Sequence, residues 1–304
     1  MVMNRLKIRT DLALEARENM EEGAEGCRGV IVEEDYKEES EIRITRVVIE
    51  TKNGSKAMGK PIGTYITLEA PAMAIPDEEY HQEISDELAR QLKTIIPGIL
   101  EEVSVLVVGL GNRDVTADAL GPHVVDNLTI TRHMIMEYGK AAFNRNKMHT
   151  VSGLVPGVMA RTGMESQEII KGVVEKTKPD VVIVIDALAA RSTKRLNRTI
   201  QITNTGIHPG SGVGNHRNSI SEENLGVPVI AIGVPTVVDA ATIVSDALEK
   251  MMRQTGEEPL EIQEELMNGL GELYNMYVTG KDVDYEIRQI GHIICNALNQ
   301  VLES

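Results

Sequence analysis

Two aspartates that each follow a run of apolar residues could act together as an acid and a base. Asp118 comes shortly after Val103–Val108 and the turn GLGN, and Asp186 directly follows Val181–Ile185. Short apolar runs of this kind predict strands buried on both faces of a parallel sheet, whose carboxyl ends share one edge. Two carboxylates close together there would be coupled, with one holding a proton, as general acid–base hydrolysis of a peptide bond requires.

Each residue also has a purely structural interpretation. An aspartate before a helix is commonly an N-cap, so both Asp118 and Asp186 could simply cap the helices that follow their strands. The turn GLGN lacks the third glycine of a dinucleotide fingerprint and the Lys-Ser/Thr of a P-loop, so it is a weak nucleotide motif. A binding module that holds a small anion in this glycine loop is a further alternative.

The elements that must position these residues follow a βα pattern. Apolar strands are expected at 103–108, 151–157, 181–185, 199–203 and 227–233, with helices at 128–147, 164–178, 235–253 and 283–302. Such strands joined by helical crossovers predict an α/β fold with a mostly parallel sheet and helices on both faces. Between two of the strands, a glycine-rich loop at 204–218 carries His208 and His216.

The N-terminal third predicts an additional antiparallel strand pair. Segments 41–50 and 62–68 alternate apolar with polar residues, and Asn53-Gly54 between them favours a turn. An amphipathic helix is expected at 77–96, stopped by Pro97-Gly98. A helix could begin near Leu12 with Asp11 as its cap, and the acidic, glycine-containing stretch 15–41 indicates a loop or a solvated helix.

Composition excludes several classes of protein. The net charge of −15, from 46 acidic and 31 basic residues, disfavours nucleic acid as a partner. The two cysteines, Cys27 and Cys295, are too few for a disulfide framework and are expected to be reduced, buried thiols. No apolar run reaches the ~18 residues of a membrane span and no signal peptide is recognisable, so a cytoplasmic location is expected.

Several long segments resemble one known family. They are GLGNRDVTADALGP, SGLVPGVMARTGMES, VVIVIDALAARS, NTGIHPGSGVGNHR and GVPVIAIGVPTVVDA, within a resemblance that extends from about Arg9 to the C-terminus. Together they resemble the germination protease of spore-forming bacteria, the endopeptidase that degrades small acid-soluble spore proteins at germination. That family is similar in fold to the hydrogenase maturation endopeptidases. The chain is shorter than the resemblance leads us to expect, with the difference between Arg253 and Tyr277.

The resemblance implies roles for particular residues. The family's two catalytic aspartates fall on Asp118 and Asp186, which implies an atypical aspartic peptidase without a cofactor or metal. Further candidates for substrate or loop contacts lie in or next to the matching segments; they are Asn112, Glu165, Arg191 and His208. His208 could instead satisfy the backbone of its loop, and Arg191 could simply be solvated.

The resemblance also implies a zymogen that cleaves itself between Asp11 and Leu12. The stretch TDLALE fits the sites that the family cuts, in which an acidic residue is followed by an apolar residue, then Ala and, two residues on, Glu. Residues 1–11 would then be a propeptide and 12–304 a single peptidase domain. The further expectations are a homotetramer, spore proteins as substrate and the spore core as location.

One alternative enzyme class uses a metal. A metal-dependent peptidase or amidase of the hydrogenase-maturation type would use the same two acids with His208 or His216 as ligands. The seven histidines show no paired spacing of a helix-borne zinc site, and neither HExxH nor CxxC is present, which weakens this alternative.

Overall fold

A computed structural model describes residues 12–18, 29–140, 148–209, 218–244, 247, 273 and 276–303. Within these residues, nine strands form one mixed sheet in the order β1-β2-β3-β7-β8-β6-β4-β5, with β9 paired to β8. The strands are β1 Val30–Lys37, β2 Ile42–Ile49, β3 Gly63–Glu69, β4 Ser104–Gly109, β5 Thr150–Leu154, β6 Val181–Ala190, β7 Thr199–Thr203, β8 Val229–Asp239 and β9 Tyr277–Val278. The predicted propeptide residue Asp11, together with Cys27, His216 and most of 253–277, lies outside this range.

Helices cover both faces of the sheet. They are α1 Ala13–Glu18, α2 Lys52–Met58, α3 Glu78–Ile95, α4 Leu120–Asn127, α5 Arg132–Tyr138, α6 Met159–Thr162, α7 Ser166–Thr177, α8 Glu222–Leu225 and α9 Val283–Leu302. One face packs against α3, α4 and α9, and the opposite face packs against α7 and α8. The α/β class with helices on both faces is therefore confirmed.

The central strands are parallel, and the helices that connect them bury both of their faces. Alternate residues of β4 point to opposite cores: Val105 and Val107 lie in the α3/α9 core, whereas Leu106 and Val108 lie in the α7 core. Strand β4 pairs in parallel with β5 and β6, and β6 pairs in parallel with β8. The predicted antiparallel addition is also present, and it is larger than a strand pair, since it comprises β1, β2, β3 and β7.

Helix α3 confirms the prediction of an amphipathic helix at 77–96. Asp77 caps its first turn by accepting a hydrogen bond at 3.0 Å from the amide of Tyr80. Its apolar face packs against α9, and the Ser85 hydroxyl donates to the carbonyl of Ile293 at 3.2 Å. These two long helices therefore close one side of the parallel core.

Two predictions in the N-terminal third are wrong. The stretch 15–41 contains strand β1. Five of its eight residues are exposed, so its sequence VIVEEDYK does not show the apolar pattern of a buried strand. The connection between β2 and β3 is helix α2 and not an Asn53-Gly54 turn. The Thr51 hydroxyl caps α2 by accepting from the amide of Gly54 at 3.1 Å, which turns the chain into a helix there.

Three predicted boundaries also differ. Strand β6 continues past Ile185 to Ala190, and β8 continues through Pro235 to Asp239, because these two strands pair with each other along this length. Helical residues therefore begin at 240 and not at Pro235. Within the described part of the helix expected at 128–147, helix begins only at Arg132 and ends at Tyr138, before Gly139. The Thr131 hydroxyl donates to the carbonyl of His149 at 2.7 Å, which ties the start of α5 to the segment before β5.

Two expectations from composition are met by the described residues. Cys295 is a free, buried thiol in α9, and burial raises its pKa to about 11. Within the described part of the chain, no helix is both long and apolar enough to cross a membrane.

A buried carboxylate attaches the edge strand β1 to α3. Glu87 is 2% exposed and forms ion pairs with Lys37 of β1 and with Arg90. Burial alone would raise the pKa of Glu87, but the hydrogen bonds from Lys37 and Gln91 and the charges of Lys37 and Arg90 together lower it. Since the folded-state pKa is the lower one, this stabilisation is present above the unfolded-state pKa and is lost as pH falls through the folded-state value.

We expect Glu87→Gln to destabilise the protein by about 1–3 kcal/mol at pH 7, because the buried group loses its charge while its partners remain. The difference from wild type should shrink as the pH falls below about 4. Urea denaturation at pH 7 and at a pH below about 4 measures the difference in the free energy of unfolding. Glu83→Gln, at an exposed position of the same helix, is the matched control and should have almost no effect. A pH-independent loss in Glu87→Gln would contradict the ion-pair explanation.

Candidate functional site

Three backbone segments meet where β4 ends. The amide of Leu110 donates to the carbonyl of Ile185 in β6 at 2.8 Å. A Cβ on Gly121, in the first turn of α4, would lie 2.4 Å from the carbonyl oxygen of Leu110 and 2.7 Å from that of Ile185. A Cβ on Gly109 would lie 2.2 Å from the carbonyl oxygen of Gly121. Only glycine permits this approach, so these residues fix where α4 and the preceding turn lie.

Asp118 is held by the loop that precedes it. It lies in a short helical turn, Thr116–Asp118, and its Oδ2 accepts a hydrogen bond from the amide of Asn112 at 2.8 Å. Gly111 has φ +112°, and a Cβ on it would lie 1.9 Å from the carbonyl oxygen of Asp118. The N-cap of α4 is Ala119, so the interpretation of Asp118 as the cap of that helix is wrong.

Asp186 lies in the middle of β6. It is 6% exposed, and its Oδ1 accepts a hydrogen bond at 3.0 Å from the amide of Ala187. Because the strand continues to Ala190, Asp186 does not cap a helix. Strand β4 ends at Gly109, opposite Ile185, so Asp186 is the first residue of β6 beyond the end of its neighbour.

The segments that carry the two aspartates therefore meet near the end of β4. The helical turn that carries Asp118 contacts both β6 and β8. The hydrogen bond between Leu110 and Ile185 joins the loop before Asp118 to the residue before Asp186. The expectation that Asp186 lies at the carboxyl end of its own strand is wrong, because β6 continues to Ala190; Asp186 lies instead just beyond the end of the neighbouring strand β4.

Two exposed ion pairs hold the outside of the loop that precedes Asp118. Arg113 forms a bidentate pair with Asp126 of α4, in which one nitrogen–oxygen distance is 2.8 Å. This hydrogen bonding raises the pKa of Arg113 and lowers that of Asp126. Arg161 of α6 pairs with Asp114 at 3.0 Å. Exposed pairs contribute little stability, so their effect is to orient the loop.

The structure places the other candidates in different surroundings. Asn112 lies in the site loop: its amide binds Asp118, and its Oδ1 accepts from the amide of Asp114 at 3.1 Å. Glu165 is the residue at which α7 begins, and its amide donates to Glu168 at 2.9 Å. His208 is exposed, in the segment that follows β7. Among these three, only Asn112 contacts one of the two aspartates through a hydrogen bond that the structure defines.

Comparison with known proteins identifies the family. Residues 8–268 match the family model described as germination protease. The chain belongs to the germination protease family. A germination protease of Caldanaerobacter subterraneus subsp. tengcongensis is 46% identical over 316 aligned positions, covering 98% of this chain and 95% of that protein. A germination protease of Bacillus cereus strain 03BB102 is 48% identical, covering 84% of this chain and 70% of that protein.

Among solved structures, a similar chain is a NiFe hydrogenase maturation protease from Thermococcus kodakarensis KOD1. The likeness has a TM-score of 0.30 at 17% identity and covers 67% of this chain and 98% of the other. Membership of the germination protease family rests on the sequence matches, and it makes the chain a peptidase that acts in germination.

A buried glutamate entered the sequence predictions only as the last residue of the proposed cleavage motif TDLALE. Glu15 of α1 is 2% exposed and accepts hydrogen bonds from the amides of Arg191, at 2.9 Å, and Ser192, at 3.1 Å. Arg195 approaches the same carboxylate at 3.3 Å. Arg191 was a candidate for substrate or loop contacts, and its backbone amide binds an acidic residue of its own chain. The spacing of Leu12 and Glu15 places both on one face of a helical turn, but nothing in the sequence indicates that Glu15 is buried.

Within the described ranges, no group of three or more His, Cys, Asp and Glu residues could hold a metal ion. His208 is exposed, and His216 lies in the part that is not described. Independence from metal therefore stays a prediction.

We expect Gly121→Ala to lower both the free energy of unfolding, by about 1–3 kcal/mol, and the peptidase activity, because the new methyl group meets three backbone atoms that cannot move separately. Denaturant unfolding and a cleavage assay measure the two losses. Gly172→Ala in α7 is the control, since a Cβ there meets no atom within 4 Å. It should raise stability by about 0.5–1 kcal/mol. Equal effects of the two substitutions would show that the close approach is not a constraint.

Proposed function

We propose that Asp118 and Asp186 are the catalytic pair of an atypical aspartic endopeptidase that begins the degradation of small acid-soluble spore proteins. The observation that carries the proposal is the contact between the turn of Asp118 and the strand of Asp186. The family membership supports the peptidase activity. The resemblance supports the spore proteins as substrate, the spore core as location and a homotetramer as the assembly.

The proposed chemistry needs only water and the two carboxylates. One carboxylate accepts a proton from water as the oxygen attacks the scissile carbonyl carbon. The other, which begins as a protonated carboxyl group, donates its proton to the leaving amine as the carbon–nitrogen bond breaks. Backbone amides hold both side chains in place, from Asn112 to Asp118 and from Ala187 to Asp186. A fixed geometry of this kind reduces the reorganisation required in the transition state.

We predict that Asp118→Asn and Asp186→Asn each reduce cleavage of a purified small acid-soluble spore protein by about 10²–10⁴-fold, because each removes an acid–base group. Asp114→Asn is the matched control: it lies in the same loop, but its carboxylate is exposed and pairs with Arg161. Circular dichroism would show that all three variants fold. Near-normal cleavage by either of the first two variants would rule out the pair.

The same assay separates this proposal from the metal-dependent alternative. Cleavage by the wild-type protein should survive dialysis against a strong chelator, since no metal takes part in the proposed steps. Loss of activity that one divalent ion restores, together with a comparable loss in His208→Ala, would favour a metallopeptidase that uses the same acids.

We further propose that the chain is a zymogen with residues 1–11 as propeptide and 12–304 as the peptidase domain. The side chain of Leu12 is completely buried and packs in a cluster with Leu188, Ala190 and Val238. Leu188 lies two residues after Asp186 in β6, which is about 7 Å along a strand. The proposed junction therefore begins beside the strand that carries one of the proposed catalytic residues.

We predict that the full chain, incubated at mildly acidic pH, yields a product that begins at Leu12, because acidity favours the singly protonated pair. Intact-mass analysis over time measures the product. It should be absent in Asp118→Asn and slowed in Asp11→Ala. If Asp11 serves only as a helix cap, Asp11→Ala would instead cost about 0.5–2 kcal/mol of stability. A chain that keeps its full mass across the acidic range would refute self-cleavage.

A further inference from the structure

Strand β5 forms one end of the sheet and is paired on one side only. Its neighbour is β4, and the amide of Thr150 donates to the carbonyl of Val103, just before β4, at 3.0 Å. The backbone N–H and C=O groups of successive residues in a strand point to alternate sides. Those of Val151 and Gly153 therefore point away from β4, toward the outside of the sheet.

One residue covers the first half of this outer edge. The amide of Thr131 donates to the carbonyl of Val151 at 3.1 Å, and the Thr131 hydroxyl accepts from the amide of Val151 at 2.9 Å. Gly153 is exposed, and no described residue forms a hydrogen bond with its outward backbone groups. Because Pro156 keeps the preceding residue extended, the open edge continues to Val155.

The open part of the edge lies near the end of β4, where the segments of the two aspartates meet. Leu154 pairs with Val108, one residue before β4 ends. The chain after β5 enters α6, whose Arg161 pairs at 3.0 Å with Asp114 in the loop before Asp118. A strand added to β5 would lie about 10 Å from β4, since neighbouring strands are ~4.8 Å apart. About three residues of extended chain span that distance.

The surface beside the open edge is apolar on the face of α4. A Cβ on Gly153 would lie 3.0 Å from side-chain atoms of both Val125 and Ile130, which are partly exposed. In an antiparallel pair, side chains on directly opposite residues have their Cβ atoms ~5 Å apart. Because glycine contributes no side chain of its own, a side chain of an added strand can contact this apolar pair.

The length of the open edge favours a chain segment over a second copy of the protein. Only Gly153 and Val155 offer free backbone groups, and a contact of that size buries far less than the ~1,200 Å² of a stable interface. The net charge of −15 also opposes association of two copies through so small a contact. A peptidase, in contrast, receives an extended segment of another protein at each turnover.

We propose that the open edge of β5 binds an extended segment of the protein substrate as an added strand, at a distance from the bond that is cut. Hydrogen bonds to the backbone of Gly153 and Val155 hold this segment without requiring particular side chains. The segment then continues past the end of β4 to the carboxylates. This role rests on the proposed function, which places the cut beside Asp118 and Asp186.

The test compares two substitutions at one position. Gly153→Pro removes the outward amide, whereas Gly153→Ala adds the same Cβ and keeps the amide. The φ of Gly153 is negative and its amide faces outward, so proline is tolerated there and both variants should fold. For cleavage of a purified small acid-soluble spore protein, Gly153→Pro should raise KM about threefold to tenfold relative to Gly153→Ala. The kcat should not change, because the ground state and the transition state lose the same hydrogen bond.

Hydrogen–deuterium exchange provides a readout that needs no substitution at the edge. In Asp118→Asn, addition of the spore protein should slow exchange of the amides of Gly153 and Val155 about tenfold. The amide of Val151, which Thr131 already binds, should be unaffected. If Asp118→Asn still cuts the spore protein, the proposed catalytic pair is wrong, whereas the KM comparison, made with both aspartates present, still tests the edge.

Two results would overturn the role of this edge. One is an equal KM in Gly153→Pro and Gly153→Ala together with unchanged exchange at Gly153. The other is a smaller oligomer in Gly153→Pro than in Gly153→Ala by light scattering, with no difference in KM, since the edge would then pair with a second copy of the chain.

Discussion

The close approach of three backbones at the end of β4 is the constraint on which the rest of the site depends. Gly121 brings the first turn of α4 within contact of the carbonyls of Leu110 and Ile185, so the helix, the loop and the neighbouring strand cannot shift independently. Asp118 lies just before this contact and Asp186 just after it. The positions of the two carboxylates therefore follow from backbone packing, which is more rigid than the long side chains that usually surround a site.

The two halves of the sheet contribute differently to this arrangement. The parallel strands β8, β6, β4 and β5 are buried by helices on both faces and supply a rigid base for the aspartates. The antiparallel strands extend the sheet and bring Gln201 of β7 next to the N-terminal segment. Strand β6 takes part in both halves of this arrangement. Asp186 lies within it, and its residues Leu188 and Ala190 pack against Leu12 of the N-terminal segment.

Much of this architecture could be predicted from the sequence, because apolar runs and amphipathic spacing report burial directly. The central strands and helix α3 follow from Val, Ile and Leu patterns alone. Strand β1 could not be found in this way, since it pairs on one side and exposes most of its residues. The extension of β6 beyond Ile185 depends on its long pairing with β8, and the helix at Asn53-Gly54 depends on a cap from Thr51. Both are tertiary or local effects that outweigh residue propensity.

The candidate site was predicted in part for the same reason. Asp118 and Asp186 follow apolar runs, so their placement near the end of β4 could be inferred. Glu15 is bound by the amides of Arg191 and Ser192, about 176 residues away in the chain, and no local pattern reports such a contact. A glutamate in an acidic stretch normally indicates solvent exposure. Only the folded chain reveals that this one is enclosed.

The composition of β1 also determines how the sheet can meet other molecules. This strand is the last in the sheet, and Glu33, Glu34 and Asp35 occupy its middle as exposed residues. A second copy that added its own β1 in antiparallel pairing would bring these acidic side chains opposite one another, and like charges across strands repel. The sheet thus ends in an electrostatic barrier against the addition of a second β1 strand.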